Sequence, residues 1–107
     1  MKLSVIPKKS LGQHFLINPR ILDKIVAAAE ISNNDTVLEI GPGTGNLTEK
    51  LSIKAGKVIA IEKDRRLIES LKEKFKNKNV EIVESDVLKL KIIKLLPISP
   101  IILLRIF

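Results

Sequence analysis

Between residues 19 and 86 the apolar positions switch between a helical and a strand-like period, and each switch marks an element. Ile21, Leu22, Ile25, Val26 and Ala29 recur at helical spacing, which predicts an amphipathic helix over 19–30. Asn18-Pro19 in front of them is an N-cap followed by proline at the first helical position. Ser32 to Asp35 is a polar turn, and Thr36 to Ile40 is a short, largely β-branched run that predicts a strand. Gly41-Pro42-Gly43-Thr44-Gly45 ends it, because such a run cannot be regular structure. Leu47 and Leu51, with good helix formers between them, predict a helix to Lys54, and Gly56 is its stop. Lys57 to Glu62 is a second strand, built on Val58, Ile59 and Ile61. Asp64 is placed to cap a third helix with Leu67, Ile68, Leu71 and Phe75 on one face and Lys72, Lys74 and Lys76 on the other. After a turn at 77–79, Val80 to Val83 predicts a third strand, closed by Ser85-Asp86.

Strands separated by crossover helices imply a parallel sheet with right-handed connections. The predicted class is therefore α/β, half of a doubly wound fold with strand order 3-2-1. Residues 1–17 show no sustained period and read as a basic arm with an apolar knot at Phe15-Leu16-Ile17. The expected division is a basic arm over 1–18, a βαβ half-domain over 19–90, and a divergent apolar tail over 91–107. On this reading the strand at 36–40 lacks a neighbour on one side and leaves an exposed sheet edge. The run Ile101-Ile102-Leu103-Leu104 adds to the aggregation risk.

Composition narrows the classes. A chain of 107 residues holds one small domain. Its 45% apolar content supports a packed core, and with aromatics limited to Phe15, Phe75 and Phe107 that core must be aliphatic. The absence of cysteine excludes a disulfide framework and a thiolate metal site, and a lone histidine, His14, excludes a His-rich one, so no metal is expected. Met1 to Lys9 has no apolar segment of a secretory signal. The stretch 92–107 is short for a membrane span and carries Lys94, Pro97, Pro100 and Arg105. A soluble, cytoplasmic monomer is expected. Nineteen Lys and Arg against twelve Asp and Glu give a net charge of +7, which suits a polyanionic partner such as nucleic acid and equally suits a merely solubilising surface.

In an open parallel sheet ligands bind beyond the carboxyl ends of the strands. The glycine loop, Glu62 and Asp86 sit at three such ends and are expected to converge on one crevice. The loop is not a dinucleotide fingerprint, since position 46 is Asn where G-x-G-x-x-G needs glycine, and no Gly-Lys-Ser/Thr follows to make a P-loop. Glu39 just before the loop would repel a pyrophosphate. An acidic strand end suits a ligand with a positive amine, and S-adenosylmethionine, with an ammonium and a sulfonium, fits. Glu62 lies about 20 residues beyond the loop, where an acid accepts both ribose hydroxyls. Asp86 is placed to accept the adenine amine. The plainer alternatives are a tight βα turn, a solvated strand end and a helix cap. His14 has no partner in the pattern that would make it a base, nucleophile or ligand.

Lys8-Lys9-Ser10-Leu11-Gly12-Gln13-His14-Phe15-Leu16 resembles the N-terminal motif of the rRNA adenine dimethyltransferases, the family that dimethylates adjacent adenosines near the 3′ end of small-subunit rRNA. Leu38 to Thr48 is similar to that family's cofactor loop, and Ala60-Ile61-Glu62-Lys63-Asp64 and Glu84-Ser85-Asp86-Val87-Leu88 resemble its second and third motifs. The macrolide-resistance methylases of large-subunit rRNA are close relatives, but Leu-Gly-Gln-His-Phe-Leu and Gly-Pro-Gly-Thr-Gly-Asn are nearer the small-subunit type. The resemblance implies a Rossmann-like S-adenosylmethionine-dependent methyltransferase fold, of which this chain carries the first half. It implies N6,N6-dimethylation in ribosome maturation, with small-subunit rRNA as partner. His14 and Leu16 would contact the cofactor largely through backbone, Gly41 its methionine part, Glu62 the ribose and Asp86 the adenine; Lys8 and Lys9 would meet RNA phosphates. The family's catalytic Asn-(Leu/Ile)-Pro-Tyr motif is absent after Asp86, where the chain runs Lys89-Leu90-Lys91-Ile92-Ile93-Lys94-Leu95-Leu96-Pro97. No catalytic residue is assigned, and a truncated or disrupted product is expected. The alternatives are a non-catalytic rRNA-binding or assembly module, and a dinucleotide-binding enzyme half, against which Glu39 and the loop spacing count.

Overall fold

The computed structural model of the chain describes residues 2–6, 18–86 and 101–106. In order they form β1 (Lys2–Ile6), α1 (Pro19–Ala28), β2 (Thr36–Ile40), α2 (Asn46–Lys54), β3 (Lys57–Glu62), α3 (Arg65–Lys74), β4 (Val80–Glu84) and β5 (Ile101–Ile106). The predicted caps are present. The Asn18 side chain accepts a bond from the Arg20 N–H at 3.0 Å with Pro19 at the first position of α1, and Asp64 does the same for the Arg66 N–H at the start of α3. The first helix closes two residues earlier than its apolar pattern suggests, because Glu30 turns into the left-handed region at φ +51°.

Every strand pair is parallel, and the sheet order is β1-β5-β2-β3-β4. The three expected strands are adjacent in the expected order, with Val37 opposite Val58 and Val58 opposite Val80. The expected open edge at β2 is not there. Strand β5 runs along that side in register from Thr36↔Ile101 to Ile40↔Arg105, and β1 runs beyond β5. Hydrogen bonding decides this: a strand edge presents a row of unpaired N–H and C=O groups, and β5 satisfies the row on β2. The apolar run at 101–104 is the pattern of a strand with neighbours on both sides, not of a loose tail. Residues from the expected arm and the expected tail thus share one sheet with the central segment.

Alternation along the strands divides the core. On one side Val37 and Val58 pack with Leu22 and Val26 of α1 and with Leu47, Leu51 and Ala55 around α2. On the other, Leu38, Ile59 and Ile61 cluster with Val83. The α2–β3 connection is tight. Asp35 O accepts from the Gly56 N–H at 2.9 Å and the Lys57 N–H at 3.3 Å, and the Asn79 side-chain amide donates to the carbonyls of Ser52 and Ala55, each at 3.0 Å. A Cβ on Gly56 would lie 2.4 Å from the Asn33 carbonyl oxygen, which is backbone and cannot swing aside. Gly56→Ala is therefore expected to destabilise the chain by about 1–3 kcal/mol, seen as a lower urea midpoint with unchanged slope. Among the described residues no helix is long and apolar enough to cross a membrane, and no cluster of His, Cys, Asp or Glu is placed to hold a metal ion.

Candidate functional site

Strands β2 and β3 end side by side. The Gly41 N–H donates to the Ile61 carbonyl at 2.8 Å, so the ladder continues one residue past β2 before the chain turns away. Gly41 and Gly43 make that turn with φ of +72° and +61°, in the left-handed region that side chains disfavour. A Cβ at either would meet no described atom within 4 Å. Gly45 has a different reason to be glycine. Its Cβ would lie 2.8 Å from Cε2 of Phe75 and 3.2 Å from Cδ2 of Leu71, so the end of α3 occupies that space.

Glu62 is not a solvated strand end. It is 6% exposed, and both oxygens are engaged: Oε1 accepts the Gly43 N–H at 3.2 Å and Oε2 accepts the Asp64 N–H at 3.0 Å. The carboxylate thereby ties the glycine loop to the end of β3. Each oxygen keeps a second lone pair, so the group can still receive two hydroxyls. Asp86 follows β4 and is half-buried. The Ser85 N–H donates to the Glu62 carbonyl at 2.9 Å, which holds the segment leading to Asp86 beside the end of β3. Gly41, Glu62 and Asp86 are thus brought to one end of the sheet. His14, Leu16, Lys8 and Lys9 lie outside the described residues.

Glu39 was expected to offer its charge to a ligand amine at the strand end. Instead it is 2% exposed and accepts a bond from the Thr48 hydroxyl in the first turns of α2. Burial pushes its carboxyl up to about 7; the Thr48 bond opposes the rise, and the Glu62 charge adds to it. Two acidic side chains therefore stand near the loop, Glu62 engaged with loop backbone and Glu39 buried against Thr48. Thr48 escapes sequence reasoning, yet an acid at the end of a buried strand needs a donor, and a hydroxyl in the following helix is the nearest kind. Lys74 escapes it too: its Nζ donates to the Thr44 carbonyl at 3.2 Å from a helix 30 residues on. A groove of about 420 Å³ between α1 and α2, lined by Asp23, Val26, Glu30, Lys50 and Ile53 among others, shares no residue with this crevice.

Residues 6–99 match the ribosomal RNA adenine dimethylase family. The chain is 51% identical over 90 residues to the "Probable ribosomal RNA small subunit methyltransferase A" of Thermococcus kodakarensis, covering 84% of this chain and 32% of that protein. It is 54% identical over 83 residues to the ribosomal RNA small subunit methyltransferase A of Dehalococcoides mccartyi, covering 77% and 28%. Among solved structures, a dimethyladenosine transferase from Plasmodium falciparum superposes with a TM-score of 0.64 at 40% identity, over 79% of this chain and 39% of that one. The chain spans about a third of the length of the curated relatives it matches.

Proposed function

Because the chain belongs to the ribosomal RNA adenine dimethylase family, we propose that its crevice binds S-adenosylmethionine for the N6,N6-dimethylation of small-subunit rRNA adenosines. The observation that carries the reading is the Glu62 carboxylate, buried and doubly bonded to backbone N–H groups beside two glycines that no described residue crowds. That donor and acceptor set fits a nucleoside: Glu62 accepts the ribose hydroxyls, Asp86 accepts the adenine amine, and the bare backbone at Gly41 admits the methionine part. His14 and Leu16 contribute backbone contacts. The Glu62 carboxylate at the crevice favours a cation and disfavours a phosphate. The chemistry such a cofactor supplies is an electrophilic methyl for in-line displacement, which needs positioning more than acid–base help. The target adenine must leave its stack to be reached, and Lys8 and Lys9 hold the RNA phosphates while it does. The protein works as a cytoplasmic monomer on the maturing small subunit.

These 107 residues lack Asn-(Leu/Ile)-Pro-Tyr, so no catalytic residue is proposed among them. The +7 charge favours a second reading in which the chain binds rRNA without chemistry. Methyl incorporation into small-subunit rRNA separates the two: counts above background remove the second reading, and background counts remove the first for this chain. The cofactor claim has its own test. Calorimetric titration with S-adenosylmethionine is expected to saturate and to resist competition by a nicotinamide dinucleotide. Asp86→Ala is expected to weaken binding about tenfold, the size of one hydrogen bond to a charged acceptor. A folded chain that ignores S-adenosylmethionine at about millimolar concentration, near the weak end of specific binding, overturns the proposal.

A further inference from the structure

The glycine loop must hold its left-handed turns for the crevice to exist, yet glycine is the residue least inclined to stay in one conformation. Glu62 restrains it from the strand side through the Gly43 N–H. A second restraint comes from α3. The Lys74 ammonium donates to the Thr44 carbonyl oxygen at 3.2 Å, inside the loop itself. The same nitrogen stands 3.9 Å from Glu49 in the first turn of α2 and 5.6 Å from the centre of the Phe75 ring, so its position is defined from several sides. Directly beside it, Phe75 and Leu71 fill the space a side chain on Gly45 would need. Phe75 is 3% exposed and Leu71 1%, so this part of α3 is buried packing.

We propose that Lys74 is a positioning residue, which holds the glycine loop in its cofactor-receiving shape from the α3 side without touching the cofactor. The inference rests on the proposed function for its effect on affinity. The hydrogen bond from Lys74 fixes the Thr44 peptide, and the Phe75 and Leu71 side chains support Gly45 next to it. Two consecutive residues of the loop are thereby held by one helix end, while no described atom crowds Gly41 or Gly43. Lysine suits the position because a long, flexible stem can cross to a neighbouring loop and end in three rotatable donors.

The test compares the parent chain with Lys74→Met, Lys74→Arg and Glu49→Gln. Lys74→Met keeps the apolar stem and removes the donor. Its affinity for S-adenosylmethionine is expected to fall about three- to tenfold, the worth of one hydrogen bond, with the urea midpoint unchanged. Lys74→Arg, which can still donate to Thr44, is expected to restore affinity to within about twofold. Glu49→Gln removes the exposed ion pair and leaves the carbonyl bond, and is expected to match the parent, as such pairs contribute little. Amide exchange at Thr44 and Gly45, measured without ligand, is expected to quicken in Lys74→Met alone. Parent-like affinity and exchange in Lys74→Met overturn the inference, as does a loss of affinity that Lys74→Arg fails to rescue or that Glu49→Gln reproduces. If the parent itself ignores S-adenosylmethionine the proposed function falls, and the exchange measurement still decides whether Lys74 holds the loop.

Discussion

Glu62→Ala is expected to weaken S-adenosylmethionine binding at least about a hundredfold, since two hydrogen bonds from ribose hydroxyls to a charged acceptor are lost together. The same change strips the Gly43 and Asp64 N–H groups of the acceptors they have at 3.2 Å and 3.0 Å. A lost acceptor for a buried donor costs about 1–3 kcal/mol, so the unfolding midpoint should fall as well. Glu62→Gln separates the two effects. One amide oxygen can still serve one of these N–H groups, but its NH2 faces the other as donor against donor. Stability is then expected to lie between parent and Glu62→Ala, with binding still strongly impaired. Titration calorimetry and urea unfolding on the three chains check this. Binding by Glu62→Ala within about twofold of the parent would show that the carboxylate serves only to fasten the loop.

The second large effect is a dependence of stability on pH through Glu39. Its carboxyl is held near 7 in the folded chain against an ordinary 4.5, first by burial, then against the opposing Thr48 bond, with help from the Glu62 charge. Between these values the folded chain keeps a proton that the unfolded chain has released, so stability must fall as pH rises. The contribution is complete below pH 4.5 and is lost as pH climbs through about 7, and its full size is on the order of 3 kcal/mol. Glu39→Gln is neutral at every pH and its amide oxygen can still accept the Thr48 hydroxyl. It is expected to remove this slope and to be more stable than the parent at pH 8. Unfolding curves at pH 5, 7 and 8 decide the matter; parallel pH profiles for the two chains would mean that Glu39 ionises freely.

Much of the fold is legible in the sequence because its signals are local. Periodicity at Ile21, Leu22, Ile25 and Val26 announces α1, and the caps Asn18 and Asp64 mark where two helices begin. The alternation of strand and helix from Thr36 to Glu84 predicts adjacent parallel strands, because short crossovers leave few other arrangements. Strands β1 and β5 were missed for a common reason. Each stands apart from the alternating run of strands and helices that identifies β2, β3 and β4, and a short apolar run such as 101–104 is ambiguous until its neighbours are known.

The candidate site divides in the same way. That Gly41, Glu62 and Asp86 lie at one end of the sheet follows from their places after consecutive parallel strands, a rule of topology that needs no coordinates. Which glycine no described residue crowds and which makes room for Phe75 does not follow from spacing, because Gly41 and Gly45 look alike in the chain and differ in what packs against them. Nor does the state of Glu39: an acid at a strand end reads as a charge offered to a ligand, and burial in the folded chain, with the Glu62 charge beside it, raises its carboxyl. Sequence was enough for the order of the elements between residues 19 and 84 and for the caps of α1 and α3, which depend on neighbours in the chain, and topology was enough to bring Gly41, Glu62 and Asp86 to one end of the sheet. The tertiary structure alone decided that β5 closes the side of β2, that Glu62 fastens the loop and that Lys74 reaches Thr44. Those contacts join residues distant in sequence, where burial and hydrogen bonding, rather than local preference, choose the partners.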